Sequence, residues 1–126
     1  MEKFRRQKVE NIPDRLLEKW PAPVLEEGFV PLPKKLLRTA HRIFTGENAV
    51  VDLSVIMAIV DFKRPKLSRN PSREFLAFLS GLSRPALDEA LTRLQSRGLI
   101  EVKESDGEIH ADLSGLIQRI HQEAPD

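Results

Sequence analysis

The sequence predicts a mainly α-helical chain with one small β-hairpin, an α+β fold. Three observations within residues 70–112 lead to this prediction. Two short segments with apolar residues at helical spacing each follow a good capping residue and each end at a glycine. The third observation is a pair of short β-prone runs on either side of Asp106 and Gly107, a dipeptide that favours a tight hairpin turn.

The first of these helices is predicted from Pro71 to Ser80. Asn70 offers a capping side chain, and Pro71 is preset for the first helical turn. Gly81 is the residue best able to end the helix in a left-handed conformation. The apolar residues that recur at helical spacing are Phe75, Leu76, Phe78 and Leu79.

The second helix is predicted from Arg84 to Arg97, with Ser83 as its cap and Gly98 at its end. The two strands of the hairpin are expected at Leu99–Lys103 and Glu108–Ala111. Together these elements form a helix, a tight turn, a second helix and a hairpin.

Three further helices are expected. Lys34–Phe44 has apolar and basic sides, and Asp112 is positioned to cap a last helix. The run Asp52–Phe62 is almost continuously apolar, so periodicity fits a buried helix or a strand, and its length favours a helix capped by Asp52. The last helix carries an apolar stripe made of Leu113, Leu116, Ile117 and Ile120.

The chain divides into an amino-terminal arm (residues 1–28), a domain (29–122) and a short tail (123–126). Residues 28–33 are expected to be extended, because each proline restricts the residue before it. Trp20 completes a small apolar group in the arm that a short helix cannot bury alone. We therefore expect the arm to dock on its own domain or, as the alternative, on a second copy. The group consists of Ile12, Leu16, Leu17 and Trp20.

Composition excludes several classes of protein. Cysteine is absent and 40% of residues are apolar, so an apolar core must supply the stability. No apolar run approaches 18 residues, and the start of the chain is charged, which favours a cytoplasmic protein without membrane contact. From a length of 126 residues we expect no separate small-molecule effector domain.

The net charge is only +1, but the charge is unevenly distributed. Residues 63–103 carry nine cationic and four anionic side chains, whereas residues 104–126 carry one and six. A basic middle followed by an acidic end can place a positive face on one side of a fold.

The predicted order of elements is that of a winged helix-turn-helix. In that arrangement a short turn lets the first helix brace the second, which enters the major groove with its amino end first. The hairpin is then the wing. We therefore expect binding to double-stranded DNA.

The segment EFLAFLSGLSRPALDEALTRLQSRGLI, residues 74–100, resembles the DNA-binding domain of the GntR family of bacterial transcription regulators. The wider span that opens with GFVPLPKKLL at Gly28 is similar to the amino-terminal domains of phage replication initiators and DnaD-type primosome proteins. The resemblance implies a bacterial or phage transcription regulator or replication-initiation accessory factor. Arg84 and Arg93 match basic positions of the GntR recognition helix. Asp88 and the mostly acidic wing depart from that pattern.

The predicted DNA-contacting residues lie in the connection before the first helix, in the two helices and in the wing. Basic side chains in this set would contact phosphates, which supply most of the affinity of DNA-binding proteins. Asp88 could accept a hydrogen bond from a cytosine amino group. The set is Lys63, Arg64, Lys66, Arg69, Arg73, Ser83, Arg84, Asp88, Thr92, Arg93 and Lys103.

We expect neither an enzyme nor a cofactor or metal site. His41, His110 and His121 have no metal-ligand spacing, and the sequence holds no phosphate-binding glycine loop or nucleophile motif. The alternative function is a protein-interaction module of a replication or transcription assembly. A homodimer through Trp20 of the arm or through the stripe of the last helix is a further expectation.

Overall fold

The computed structural model describes residues 14–26, 32–62 and 70–123. The chain separates into two units, Met1–Pro31 and Leu32–Asp126. Within residues 14–26, the described part of the first unit, there are two single-turn helices, α1 (Asp14–Leu17) and α2 (Ala22–Leu25). Trp20 between them is about half exposed, at 52%.

The second unit is mainly helical and carries one antiparallel hairpin of two strands. Its elements in chain order are α3 (Lys34–Ile43), α4 (Ala49–Phe62), α5 (Arg73–Ser80), α6 (Arg84–Ser96), β1 (Glu101–Ser105), β2 (Glu108–Asp112) and α7 (Ser114–Glu123). A mainly α chain with a small hairpin is therefore confirmed. In the part of the chain that the structure describes, no helix is both long and apolar enough to cross a membrane.

The apolar run between residues 52 and 62 forms a helix, as expected, but α4 begins three residues earlier, at Ala49. The prediction that Asp52 caps this helix is wrong. Asp52 lies in the first turn with its side chain buried, while its backbone N–H donates to the carbonyl of Asn48. The start of the helix therefore leaves the Asp52 carboxylate to form contacts in the core.

The cap of α5 also differs from the prediction. Ser72 is the capping residue, and its hydroxyl accepts a hydrogen bond from the Phe75 N–H at 3.1 Å. Asn70 and Pro71 precede the helix because the Pro71 carbonyl accepts from Ile109 N–H of β2 at 2.7 Å. A bridge between Ser72 and Glu108 extends this contact, so a short extended segment pairs with the hairpin.

The hairpin pairs Glu101 with Asp112 at its base and Ser105 with Glu108 at its tip. The first strand is shifted by two residues from the prediction, because Leu99 does not pair in the sheet and its carbonyl accepts from Leu116 N–H at 2.8 Å. The second strand begins at Glu108 as predicted and ends one residue later. The turn holds Asp106 and Gly107 at φ values of 54° and 78°. Two successive positive φ values are what a two-residue type I′ turn requires, so the turn prediction is confirmed.

The core lies where α3, α4, α5, α6, the hairpin and α7 meet. Each of α4, α5 and α6 contributes apolar side chains that are almost fully enclosed. The largest side chains with under 2% exposure are Ile43, Ile56, Leu76, Leu87, Leu91, Leu94, Leu99, Ile109 and Val55.

The last helix packs closely against the residues that follow α6. Asp112 accepts a hydrogen bond from Ser114 N–H at 2.7 Å, which fits its expected role at the start of α7. A Cβ atom on Gly115 would lie only 1.9 Å from the carbonyl oxygen of Gly98. The lack of a side chain at residue 115 therefore permits this packing.

Candidate nucleic-acid interface

The connection between α5 and α6 is short and well defined. Gly81 ends α5 in the left-handed conformation, with φ of 73°, and Leu82 N–H donates to the Ala77 carbonyl at 3.0 Å. Ser83 then caps α6 by accepting from Ala86 N–H at 3.2 Å. Both the glycine turn and the Ser83 cap were expected from the sequence, and both are present.

Helix α6 has one buried side and one exposed side. The buried side packs into the core through Leu87, Ala90, Leu91 and Leu94. The opposite side begins at the capped amino end and continues for the length of the helix. Its exposed residues include Arg84, Pro85, Glu89, Thr92 and Ser96. Asp88 lies on the same side but is half-buried.

A chain of ion pairs crosses the amino end of α6. Arg84 pairs with Glu74 of α5 and, at 3.3 Å, with Asp88 one turn along α6. Asp88 also pairs with Arg73 at 2.6 Å, and Arg73 pairs with Glu104 of β1 at 2.9 Å. We call these five residues the ion-pair cluster. It joins α5, α6 and the hairpin and carries a net charge of −1.

Arg73 is the centre of the cluster. Its side chain is only 22% exposed, and its guanidinium donates to both Asp88 and Glu104. The hydrogen bond with Glu104 is the main reason that the pKa of Arg73 is raised, and the same bond lowers the pKa of Glu104 below its ordinary value. Both groups therefore stay charged near neutral pH, and the hairpin is held to the two helices.

Arg93, one of the predicted DNA contacts, is half-buried and lies against α4. Its guanidinium donates to Asp52 of α4, at 2.7 Å from Nη2 and 3.1 Å from Nε. The Asp52 side chain is only 6% exposed. This hydrogen bond is the main cause of the raised pKa of Arg93. The pair is thus a link between α4 and α6.

The amino end of α6 has few backbone donors for an anion. Pro85 has no N–H, and the N–H of Ala86 is bonded to the Ser83 hydroxyl. Among the first three residues of α6, this leaves the backbone N–H of Arg84 as the donor that is not bonded to the Ser83 hydroxyl. The side chain of Arg84, rather than the helix end itself, is therefore the main positive group here.

The remaining predicted contacts lie at different places. Thr92 is on the exposed side of α6, with its hydroxyl donating to the Asp88 carbonyl at 3.0 Å. Lys103 is 77% exposed on β1, 3.9 Å from the Glu101 carboxylate. The basic connection, with Lys63, Arg64, Lys66 and Arg69, lies outside the described residues.

The structure adds three partners of the arginines that the sequence did not assign to this role, namely Glu74, Glu104 and Asp52. The spacing of Arg84 and Asp88 at i and i+4 could have indicated their pairing. The partners of Arg73 and Arg93 could not be found in this way, because Glu104 and Asp52 lie 31 and 41 residues away along the chain.

No group of three or more His, Cys, Asp or Glu residues that could hold a metal ion occurs among the described residues. His41, His110 and His121 are each exposed on separate elements, α3, β2 and α7.

Comparison with protein-family models, with curated proteins and with solved structures gave no match. The described residues form a mostly helical fold with a small antiparallel hairpin.

Proposed function

We propose that residues 70–112 form a winged helix-turn-helix and that the protein binds double-stranded DNA through α6. The observation that carries this proposal is the placement of α6, which buries one side in the core and exposes the other along its whole length. With 13 residues, α6 is about 20 Å long. A helix of that size fits a major groove that is about 12 Å wide.

Two further observations support the proposal. The tight turn at Gly81 presents the amino end of α6 at the surface, as docking into the groove demands. The hairpin lies beside this end, where Arg73 connects it to α6 through Glu104 and Asp88. A wing in such a position would reach the DNA backbone next to the groove.

Within this proposal Arg84 is the phosphate-contacting residue of α6. Its side chain is 46% exposed at the first position of the helix. The basic sequence KRPKLSR at residues 63–69 would supply further phosphate contacts. Transcription and replication remain the two candidate processes, and both rest on the sequence resemblance.

The test is fluorescence anisotropy of a labelled random-sequence duplex with the full chain at about 50 and 200 mM salt, a range over which several phosphate contacts change affinity by orders of magnitude. We expect salt-sensitive binding that weakens in Arg84→Gln. Arg119→Gln is the matched control, since Arg119 is also paired with a carboxylate at i+4 but lies on α7. Absence of binding at 50 mM, or equal weakening in both variants, would overturn the proposal.

A second candidate is a protein-interaction module. It is favoured by one observation, the net negative charge of the ion-pair cluster with exposed Glu89 close by on α6. Such a surface suits a basic protein segment. Binding of an oligolysine peptide without binding of duplex DNA, lost in Glu89→Lys, would support this candidate.

A further inference from the structure

We propose that Glu74 is a specificity-determining residue that competes with DNA phosphate for Arg84 and so weakens the binding of DNA of random sequence. This inference rests on the proposed DNA-binding function. Its basis is the ion pair between the Arg84 guanidinium and the Glu74 carboxylate, which joins the first turn of α6 to the first turn of α5.

Glu74 is positioned to compete with a phosphate for Arg84. The Glu74 carboxylate pairs with Arg84 and is therefore close to the site of a phosphate that would contact Arg84, and its side chain is 72% exposed. A duplex phosphate at Arg84 must either share the guanidinium with Glu74 or displace the Glu74 carboxylate. In both cases two negative groups lie close together, which opposes binding.

Glu74 differs in its partner from the other two carboxylates of the ion-pair cluster. Asp88 and Glu104 both pair with half-buried Arg73 and thereby hold the hairpin against α5 and α6. Glu74 pairs in the cluster with Arg84, at its exposed end. Its removal changes the charge around Arg84 while the contacts of Arg73 remain.

Glu74 also changes how many ions are released when DNA binds. A phosphate that pairs with Arg84 gives up a condensed cation, which favours binding at low salt. The Glu74 carboxylate beside that phosphate attracts cations in turn and so reduces the gain. The affinity that phosphate contacts alone give for any duplex is therefore low. Contacts to particular bases then account for a larger share of the binding energy.

The experiment measures the affinity of wild type and Glu74→Gln for a random-sequence duplex across a salt series. We expect Glu74→Gln to bind about two- to fivefold more tightly at 50 mM salt, the factor that release of one exposed ion pair gives. We also expect the plot of log affinity against log salt to steepen by about 0.9, the effect of one further net phosphate contact.

Two control variants separate this competition from a general charge effect. Glu47→Gln removes the same charge from an exposed site in the connection between α3 and α4, and it should leave the salt slope unchanged. The double variant Glu74→Gln/Arg84→Gln should lose both the gain in affinity and the steeper slope. Circular dichroism should show the same helix content in all variants.

The outcomes separate the inference from the function on which it rests. If the wild type binds duplex DNA but Glu74→Gln behaves like Glu47→Gln, the inference is wrong and the proposed function stands. If neither wild type nor Glu74→Gln binds at 50 mM salt, the proposed function falls and the inference with it.

Discussion

Arg84 and Arg93 are basic residues of the same helix, yet their surroundings are opposite. Arg84 is at the exposed amino end of α6, with one well-exposed partner, Glu74, and one half-buried partner, Asp88. Arg93 lies against α4 and pairs with a buried carboxylate. Because the two positions are nine residues apart, they lie on different sides of the helix. Their resemblance to basic positions of a recognition helix does not distinguish these two environments.

We predict that Arg93→Leu lowers the free energy of unfolding by about 3 kcal/mol, because it leaves the Asp52 carboxylate buried without a partner. Asp52→Leu/Arg93→Leu should recover most of the loss, since it removes both charges. Urea unfolding measures each value. Arg84→Leu is the control and should change stability by less than about 1 kcal/mol, as exposed pairs do. A loss in Arg93→Leu no larger than in Arg84→Leu would contradict the prediction.

Residue-level prediction from the sequence succeeded where the cause is local and failed where it is not. Ser83 caps α6 as expected, because a capping serine acts on an N–H three residues away. The capping residue of α5 was placed at Asn70 instead of Ser72. The reason is the hydrogen bond from Ile109 to the Pro71 carbonyl, which keeps Pro71 extended and involves a residue 38 positions away.

Among the elements, the hairpin is the one whose position depends most on charged side chains. It is tied to α5 and α6 by Arg73, which pairs with Glu104 of β1 and Asp88 of α6. Its backbone is tied to the segment before α5 through Pro71 and Ser72. The two attachments differ in kind, since the first depends on pH and salt and the second does not.

We predict that the pKa of the Glu104 carboxyl is below its ordinary value of 4.5 and returns to that value in Arg73→Gln. The lowered pKa means that the pair stabilises the folded state above pH 4.5 and that this stabilisation is lost as the pH falls through the folded-state pKa. An NMR titration of the Glu104 side-chain carboxyl measures both values. Arg119→Gln is the control, and an equal shift in that variant would rule out Arg73 as the cause.

At the element level the sequence predicted the number and kind of elements in residues 34–123 better than their limits. The apolar run that could have been a strand is a helix of 14 residues, and its length is what distinguishes it. The first strand begins two residues later than expected, because Leu99 and Ile100 belong to the core rather than to exposed strand pairing, whereas the second strand begins at Glu108 as predicted. Apolar side chains alone do not separate these two environments.

On the scale of the whole molecule, the distribution of charge matters more than the net charge of +1. The sequence indicated a basic region at residues 63–103, yet within it Arg73, Arg84 and Arg93 all pair with carboxylates. A count along the chain cannot show this, since it does not reveal which charges are neighbours in space. The position of α6 was predictable, whereas the sign of the charge around it was not.

The apolar stripe of α7 bears on the expectation of a dimer. Leu116 is buried in the core, and Leu113 and Ile120 pack against it, so most of the stripe serves the fold of its own chain. Ile117 is the exposed member, at 64%.

We predict that Ile117→Lys leaves the molar mass in sedimentation equilibrium unchanged, because a single exposed side chain gives too small an apolar surface for a stable interface. Its melting temperature should also stay close to that of the wild type. Leu116→Ala is the comparison, and it should lose about 2–5 kcal/mol of stability as a core truncation. A lower mass in Ile117→Lys would show that α7 forms the dimer contact proposed from the sequence.

The close approach of Gly98 and Gly115 has a consequence for how other chains with this arrangement can be recognised. A methyl group at residue 115 would overlap the carbonyl oxygen of Gly98, which belongs to backbone and cannot turn aside as a flexible side chain could. A chain that keeps the contact between the end of α6 and the start of α7 must therefore keep a glycine at the position of Gly115, which is 17 positions after Gly98. This spacing is a stricter search criterion than the apolar pattern, because many residues can fill a core position and none but glycine fits here.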